Sequence, residues 1–453
     1  MKPLKIGISW VRGVVGETLA PELVVDFACA FGTFVEGAPV AVGHDSRRSA
    51  PMVHAGVLAG LQSCGCDIVD LGLLPTPIIQ YAVRSRRLAG GISITASHND
   101  ARWNALKFIG RDGMLLNSFQ SGQVMDIYHL GEFRKRPWDK LGQIRRDERA
   151  AQGYFEFLLD KLDAPRIRKA HLKVVTDCCA GAGGGLVRGF LERIGCTVVA
   201  LNDEPDGDFP HSPEPNVRNM KGLASVVKSV GADAGFLVNT DVDRVGLVAG
   251  GGIPLSEECV LPILADYILD STPGCVVSTL STSRMVESAA ARHGRKLIRA
   301  RIGEGYVLQK VVTEKAAVGG EGSGGVAVPK WTRWFDGFAS MGLVLECMAR
   351  RKTTLAELAA GLPRYHMIKG SIPSSSERIY PLLEAFRKSY HSESPNLEDG
   401  VRVDWKDAWL HIRASNTEPL IRIIVEAENL ARARELYDLC YAQVQRLQTA
   451  GGA

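Results

Sequence analysis

The polar loop Thr95-Ala-Ser-His-Asn99 has the residue types for nucleophilic chemistry. It follows the apolar run 90–94, which predicts a short buried strand and puts Ser97 where that strand ends. In open α/β sheets, ligands bind beyond the carboxyl ends of strands, so a hydroxyl at this position is well placed for chemistry. Taken alone, the loop fits an ordinary turn or helix cap better than a nucleophile.

Three oxygen-bearing side chains alternate along a second loop, at Asn239, Asp241 and Asp243, after the apolar run 234–238. Oxygen ligands at i, i+2 and i+4 can converge on one hard cation, and Mg²⁺ prefers such ligands together with phosphate oxygens. A solvated acidic turn with Asp243 paired to Arg244 explains the same pattern. The motif from Asp241 is also similar to that of the haloacid-dehalogenase phosphatases and phosphomutases, whose first aspartate is the nucleophile. Those proteins usually carry the motif near the chain start.

A third segment has the donors for binding a phosphate dianion. It runs from Arg413 to Arg422 between two strand-like runs and contains Ser415, Asn416 and Thr417. Hydroxyls, an amide, backbone N–H groups and guanidinium forks all suit a dianion. The alternative is a turn whose arginine side chains lie along the surface. The density of donors favours phosphate.

Glu321 and Ser323 lie in a fourth, glycine-rich loop over residues 319–325. A carboxylate and a hydroxyl on a flexible backbone can hydrogen-bond to the hydroxyl groups of a sugar. A mobile linker has the same composition, so this loop alone does not decide between binding and connection.

The elements that carry these loops form four units. A chain of 453 residues is too long for one hydrophobic core. Apolar runs alternate with helical periodicity over residues 1–150, and the pattern restarts over 151–253 and again over 254–365, which predicts three α/β domains. Residues 366–453 contain strand-like runs at 401–403, 409–412 and 421–425 before a helix over 430–447. They predict a smaller α+β domain.

Composition narrows the class of partner. The chain is 45% hydrophobic and 23% charged with a net charge of +4, so we expect no nucleic-acid or membrane partner. Its ten cysteines include no CxxC pair, which disfavours a zinc site or a disulfide framework and favours a cytoplasmic location. No apolar run is long enough to span a bilayer.

Taken together, the four loops resemble those of the α-D-phosphohexomutase superfamily, which includes phosphoglucomutases, phosphomannomutases and phosphoglucosamine mutases. The resemblance covers nearly the whole chain, in order. It extends to Trp10-Val-Arg-Gly13, Gly43-His-Asp-Ser-Arg-Arg-Ser49, Pro75-Thr-Pro77 and Asn104-Ala-Leu-Lys107. The start of the chain and the Glu-Gly-Ser-Gly-Gly segment resemble a bacterial phosphoglucosamine mutase-like branch most closely.

The resemblance implies four domains around a central cleft, three of them α/β with mixed sheets and the last a smaller α+β domain. It implies an isomerase that interconverts hexose 6-phosphate and hexose 1-phosphate. Phosphorylated Ser97 would give its phosphoryl group to a sugar hydroxyl, and the resulting bisphosphate would turn over and return its other phosphate to Ser97. Hexose bisphosphate would act as activator.

The resemblance also implies roles for individual residues. One Mg²⁺ per subunit would be held by Ser97, Asn239, Asp241 and Asp243. Other groups would serve the chemistry beside Ser97, namely Arg12, Lys107 and His98. The remaining candidates would bind the sugar phosphate: Arg244, Glu321, Ser323, Arg413, Ser415, Asn416, Thr417 and Arg422. The partner would be a sugar phosphate, with no nucleic acid or membrane, and the protein would be a monomer or a homodimer.

Three positions differ from the family pattern. Asn239 replaces the usual first aspartate of the metal loop, so we expect weaker Mg²⁺ binding. Asp100 replaces a proline after Ser-His-Asn and would loosen the turn and add a negative charge beside Ser97. Gly325 replaces a frequent histidine, which leaves Glu304 as the nearest group for proton transfer. The alternatives that stay open are a phosphoglucomutase or phosphomannomutase, an enzyme using Asp241 as nucleophile, and a non-catalytic sugar-phosphate-binding homologue.

Overall fold

The computed structural model describes residues 4–415 and 419–450, and its strands form four sheets that follow one another along the chain. The first three sheets are covered by helices and the fourth is a small antiparallel sheet with two helices. This confirms the predicted fold class. We number the units I to IV; the domain boundaries given above stay predictions.

Domain I contains a seven-stranded mixed sheet with four helices. Its elements are β1 (Lys5–Ile6), β2 (Trp10–Val14), α1 (Pro21–Phe34), β3 (Val40–His44), α2 (Ala50–Ser63), β4 (Ile68–Leu73), α3 (Thr76–Ser85), β5 (Gly90–Ile94), β6 (Trp103–Gly110), α4 (Ser118–Leu130) and β7 (Ile144–Arg146). The strand order is β1-β2-β6-β5-β3-β4-β7. The apolar strand β5 is buried on both faces between parallel β3 and antiparallel β6, so the loop after it starts from the middle of the sheet.

Domain II contains a five-stranded sheet in the order β12-β11-β10-β8-β9. Its elements are α5 (Ala150–Lys161), α6 (Ala164–Lys169), β8 (Lys173–Asp177), α7 (Leu186–Arg193), β9 (Thr197–Leu201), α8 (Lys221–Val230), β10 (Ala234–Val238), β11 (Val245–Ala249) and β12 (Ile253–Pro254). β10 pairs antiparallel with β11, and residues 239–244 form the tight connection between these two fully buried strands.

Domain III contains a four-stranded sheet in the order β14-β13-β15-β16. Its elements are α9 (Val260–Leu269), β13 (Val276–Thr279), α10 (Met285–Arg292), β14 (Leu297–Ala300), α11 (Glu304–Thr313), β15 (Val318–Gly320), β16 (Val326–Ala327), α12 (Gly337–Arg351) and α13 (Leu355–Ala360). The predicted sugar loop, residues 321–325, joins the antiparallel strands β15 and β16.

Domain IV contains an antiparallel sheet in the order β17-β20-β19-β18. Its elements are β17 (His366–Pro373), α14 (Ser376–Ser389), β18 (Val401–Asp404), β19 (Ala408–Ala414), β20 (Leu420–Ala427) and α15 (Leu430–Ala450). The three strand-like runs and the long helix predicted from the sequence are all present.

The apolar cores differ between the units. One core cluster runs continuously from domain I through domains II and III, and its aromatic centre contains Tyr154, Phe155, Phe190 and Phe338 with ring centroids 5.4 to 5.8 Å apart. Domain IV packs around a core of its own. Domains I to III therefore form one apolar scaffold. In the part of the chain that the structure describes, no helix is both long and apolar enough to cross a membrane.

Candidate active site

Ser97 lies just beyond β5 in a strained backbone conformation. Its φ is +54°, a left-handed value that non-glycine residues rarely adopt. Its N–H donates to Thr95 Oγ1 at 2.9 Å, and the Thr95 hydroxyl donates to Asp45 Oδ2 at 2.6 Å. These bonds hold the loop in a shape that places the Ser97 side chain at the cleft.

Arg47 organises the carbonyl groups of the Ser97 loop. Its guanidinium donates to the carbonyls of Ser97 at 2.9 Å and Asn99 at 2.8 Å, and also to those of Asp100 and Trp103. Arg47 is itself held by Asp45 at 3.0 Å, and both side chains are fully buried. Sequence reasoning missed this role, although Asp45 and Arg47 lie in a segment quoted for the family resemblance.

Asp100 closes the turn that it was expected to loosen. Its carboxylate accepts from the N–H and the guanidinium of Arg102 at 2.9 to 3.1 Å, and this pairing lowers the Asp100 pKa. The added negative charge beside Ser97 is therefore paired with a cation.

The loop between β10 and β11 converges on Ser97. The amide nitrogen of Asn239 lies 2.8 Å from Ser97 Oγ, 2.9 Å from Asp241 Oδ1 and 2.6 Å from Asp243 Oδ1. The Asn239 amide oxygen accepts the N–H of Arg244 at 3.1 Å. One amide N–H₂ group thus lies among the three oxygens that the sequence predicted as metal ligands.

Lys107 balances the two carboxylates of this loop. Its ammonium lies 2.6 Å from Asp241 Oδ2 and 2.7 Å from Asp243 Oδ2, and all three side chains are at most 5% exposed. Burial favours the neutral acids, but Lys107 and Arg244 outweigh burial at Asp243 and lower its pKa. At Asp241, burial and the charge of Asp243 dominate, and the pKa is raised.

The donor set suits a hard cation but carries less charge than three carboxylates would. Ser97, Asp241 and Asp243 offer hydroxyl and carboxylate oxygens, the ligand types that Mg²⁺ prefers. The Asn239 amide oxygen accepts the Arg244 N–H instead, and its amide nitrogen faces the other three groups. No group of three or more histidine, cysteine, aspartate or glutamate residues within 4–415 and 419–450 could hold a metal ion. Ser97 and the two aspartates fit Mg²⁺ in chemistry with two formal negative charges, and Asn239 would add an oxygen ligand after its amide group is turned over.

Several buried side-chain nitrogens around Ser97 have no hydrogen-bond partner among the described residues. They are Arg12 Nε, His98 Nδ1 and Arg244 Nε. Burial and the neighbouring arginines lower the pKa of Arg12 to about 10 and also lower that of His98, which keeps the imidazole neutral. Mutually repelling cations with unused donors are the environment that a phosphoryl group would satisfy.

The sugar loop contacts the metal loop and the start of α11. Glu321 Oε1 accepts the N–H of Gly303 at 3.0 Å, and Glu321 Oε2 lies 3.3 Å from the Ser323 hydroxyl and 3.7 Å from Arg244 Nη2. Glu304 begins α11 beside them. Burial raises the pKa of Glu304 to about 8, so it is largely protonated at neutral pH.

The predicted phosphate loop brings two arginines face to face. Arg413 and Arg422 are direct partners on the antiparallel strands β19 and β20, an arrangement in which like charges repel. Arg413 Nη2 is buried without a partner among the described residues, and Ser415 lines the same cleft. Asn416 and Thr417 lie outside the described residues.

All four loops open into one cleft of about 1440 Å³. Its lining includes residues from each domain in turn, among them Ser97, Asp243, Glu321 and Arg413. A serine hydroxyl, an acidic loop, a carboxylate with a neighbouring hydroxyl, and a pair of arginines thus face the same space. This arrangement can transfer a phosphoryl group on a ligand that carries another phosphate.

Comparison with known proteins agrees with the geometry. Models of the phosphoglucomutase/phosphomannomutase α/β/α domains I, II and III match residues 4–135, 152–252 and 257–365, and the C-terminal domain model matches 374–441. The chain belongs to the phosphoglucomutase/phosphomannomutase family. As a phosphohexomutase, it is an isomerase.

Individual relatives align over almost the entire chain. A phosphoglucomutase/phosphomannomutase of Thermococcus kodakarensis is 33% identical over 446 residues, covering 96% of both chains. A probable phosphoglucosamine mutase of Methanopyrus kandleri is 34% identical over 438 residues, covering 95% of this chain and 96% of the relative. The crystal structure of a family protein from Burkholderia thailandensis superposes with a TM-score of 0.86 at 26% identity, covering 97% of both chains.

The mutase fold brings together every described residue predicted for the site. Ser97, Arg12, His98 and Lys107 meet Asn239, Asp241, Asp243 and Arg244 at the junction of domains I and II. Besides Arg47, sequence reasoning missed Thr240, whose hydroxyl lies 2.8 Å from the Ser97 carbonyl and 3.0 Å from Asp45. Its only signal was its position inside the metal loop. The chemical roles of all these residues stay predictions.

Proposed function

We propose that the chain interconverts the 6- and 1-phosphates of a hexose through a phosphoserine at Ser97, with glucosamine phosphate as its substrate. The observation that carries this proposal is the convergence of Ser97 Oγ with the metal loop and with buried donors of Arg12 and Arg244 that have no hydrogen-bond partner among the described residues. The choice of glucosamine phosphate is supported by relatives named probable phosphoglucosamine mutase at 32% to 34% identity. A relative named phosphoglucomutase/phosphomannomutase at 33% keeps glucose and mannose phosphates as alternatives.

In the proposed reaction, a sugar hydroxyl attacks phosphorus of phosphorylated Ser97, the P–Oγ bond breaks, and Ser97 leaves as the acceptor for the return step. Arg12 and Arg244 bind the equatorial oxygens of the transferring group and stabilise its charge. Asn239, Asp241, Asp243 and a phosphoserine oxygen would hold Mg²⁺, which when bound neutralises charge on that group.

In this proposal, residues of domains III and IV transfer the proton and orient the sugar phosphate. The carboxyl group of Glu304, with its pKa raised to about 8, is poised to exchange a proton with the reacting hydroxyl near neutral pH. Glu321 and Ser323 hydrogen-bond to the sugar hydroxyls. Arg413, Ser415, Asn416, Thr417 and Arg422 hold the phosphate that is not reacting, which orients the sugar for attack.

The geometry disfavours Asp241 as nucleophile. Its Oδ2 accepts from Lys107 at 2.6 Å and from the Thr76 hydroxyl at 2.7 Å, and its Oδ1 accepts from Asn239 at 2.9 Å. Asp241 is also fully buried. A nucleophile must reach the ligand, and Ser97 lines the cleft whereas Asp241 does not.

The decisive experiment is turnover of the purified protein with Mg²⁺ and a trace of hexose bisphosphate. The panel contains glucosamine, glucose and mannose phosphates, and Ser97→Ala is compared with Ser85→Ala, a serine removed at an exposed helix end. We expect one sugar to be isomerised by the wild type and by Ser85→Ala but not by Ser97→Ala, and a phosphoryl group on Ser97 by peptide mass spectrometry.

Ligand binding without turnover or phosphoserine would instead support a non-catalytic sugar-phosphate-binding homologue, the candidate that Asn239 favours. Activity retained in Ser97→Ala but lost in Asp241→Asn would support the nucleophilic aspartate. The cytoplasmic location and the monomer or homodimer stay predictions.

A further inference from the structure

One carboxylate of domain IV contacts both the phosphate site and the backbone beside the sugar site. Asp399, which precedes β18, accepts the N–H of Ile302 on Oδ2 at 2.9 Å. Its Oδ1 lies 3.4 Å from Arg413 Nε. The side chain is only 12% exposed. Asp399 therefore joins an arginine of the phosphate site to domain III.

The backbone that Asp399 contacts is held from its other side by the sugar loop. The next N–H along the chain, that of Gly303, donates to Glu321 at 3.0 Å. Gly303 has a φ of +129°, a conformation open to glycine and costly for other residues. Glu304 follows at once as the first residue of α11. Two carboxylates, Asp399 and Glu321, thus fix the turn that positions Glu304.

Asp399 is held in place from domains III and IV. Its own carbonyl accepts His411 Nε2 at 2.6 Å, and His411 Nδ1 lies 2.8 Å from the Ser281 hydroxyl. The bond from Asp399 to Nε of Arg413 leaves Nη2 of the same guanidinium buried and without a partner among the described residues. The Arg413 fork is therefore oriented before any ligand arrives.

We propose that Asp399 is a positioning residue that couples the grip on the non-reacting phosphate to the placement of Glu304 and Glu321 around the sugar. This inference rests on the proposed function. A phosphate that binds Arg413 acts on a guanidinium whose Nε donates to Asp399, and Asp399 in turn accepts the N–H of Ile302 next to Gly303. Binding energy from the remote phosphate then serves to orient the reacting groups, which raises kcat more than affinity.

The test compares Asp399→Ala, Asp399→Asn and a matched control. Asparagine keeps an oxygen to accept the Ile302 N–H but places its amide N–H₂ group against the Arg413 Nε–H, so both the charge and the hydrogen bond to Arg413 are lost. Glu398→Ala removes a neighbouring ion pair between the same two domains, Glu398 with Lys310 at 3.5 Å, and leaves the turn before α11 alone. Steady-state turnover of the sugar phosphate and thermal unfolding are measured for each.

We expect Asp399→Ala to lower kcat by about 10- to 100-fold with KM within about threefold of the wild type. Asp399→Asn should lower kcat to a similar extent, because it keeps the bond to Ile302 but breaks the link to Arg413. Glu398→Ala should match the wild type, and the melting temperatures of both Asp399 variants should stay close together. Recovery of most of the kcat in Asp399→Asn would show that the link to Arg413 is not needed and would overturn the coupling. An unchanged kcat in Asp399→Ala, or a rise in KM alone, would overturn the coupling while leaving the mutase activity standing. Absence of turnover by the wild type would overturn the proposed function and the coupling with it.

Discussion

Asn239 gives the metal loop one negative charge fewer than an aspartate would. Asn239→Asp restores that charge by replacing a single atom, the amide nitrogen, with oxygen. In the wild type, the two hydrogens of the Asn239 N–H₂ group are shared among Ser97, Asp241 and Asp243, which all lie within hydrogen-bond distance of its nitrogen. An aspartate would put an acceptor where a donor stands, 2.6 to 2.9 Å from two carboxylate oxygens. We therefore expect opposite effects on the metal-free and the metal-bound protein.

The magnitudes follow from Coulomb's law. Two unit charges about 4 Å apart interact by about 4 kcal/mol at an effective dielectric constant of 20, and a divalent ion doubles this. Without metal, repulsion from Asp241 and Asp243, partly balanced by Lys107, should destabilise the variant by about 2 kcal/mol. With Mg²⁺, about 8 kcal/mol of attraction is largely offset by desolvation, and a net gain of about 1 to 3 kcal/mol tightens binding about 5- to 150-fold.

The assay is a Mg²⁺ titration by calorimetry, with thermal unfolding measured in the presence of chelator and of saturating Mg²⁺. Asn429→Asp is the matched control, because Asn429 caps α15 by accepting the Arg432 N–H at 2.9 Å and an aspartate can do the same. The expected result for Asn239→Asp is tighter Mg²⁺ binding, a lower melting temperature with chelator, and a larger upward shift on adding Mg²⁺. Equal Mg²⁺ affinity in the wild type and the variant would refute this account of the loop.

Two further predictions concern buried polar pairs. Tyr154→Phe removes a hydroxyl 2.6 and 2.7 Å from the oxygens of Asp336, whose pKa burial raises to about 6. In urea unfolding, we expect the free energy of unfolding to fall by about 1 to 3 kcal/mol at pH 7 and by less at pH 5, where Asp336 is protonated. The control Tyr380→Phe, at an exposed tyrosine, should leave it unchanged. Burial lowers the pKa of His411 to about 4 from its usual 6.5, so the folded state binds fewer protons than the unfolded one and stability should fall as pH drops from 6.5 to 4, by up to about 3 kcal/mol. The same pH series on His411→Gln should be flatter, and an equal slope would contradict the assignment to His411.

The sequence predicted strands best where most of their side chains are apolar and buried. The runs at 401–403, 409–412 and 421–425 became β18, β19 and β20 because nearly all their side chains are buried. β17 was missed because only Ile372 in its eight residues is buried. Its pairing with β20 along the full length rests on backbone hydrogen bonds, which leave no pattern in the side chains.

For the candidate site too, some features could be predicted from local sequence and others depend on the tertiary structure. Residue type and local spacing singled out the Ser97 loop, the Asn239 to Asp243 loop and the Arg413 to Arg422 loop as candidates, because each follows a strand or joins two strands. Only the resemblance of the four loops together to one family favoured Ser97 as a nucleophile over an ordinary turn. Only the tertiary structure decided that Asn239 presents its amide N–H₂ to Ser97 from 142 positions away along the chain. It alone decided that Arg47 supports the Ser97 loop through four backbone carbonyls and that Asp399 links two domains. Contacts to backbone atoms and between distant loops depend on how the sheets pack, and no local pattern of side chains encodes that packing.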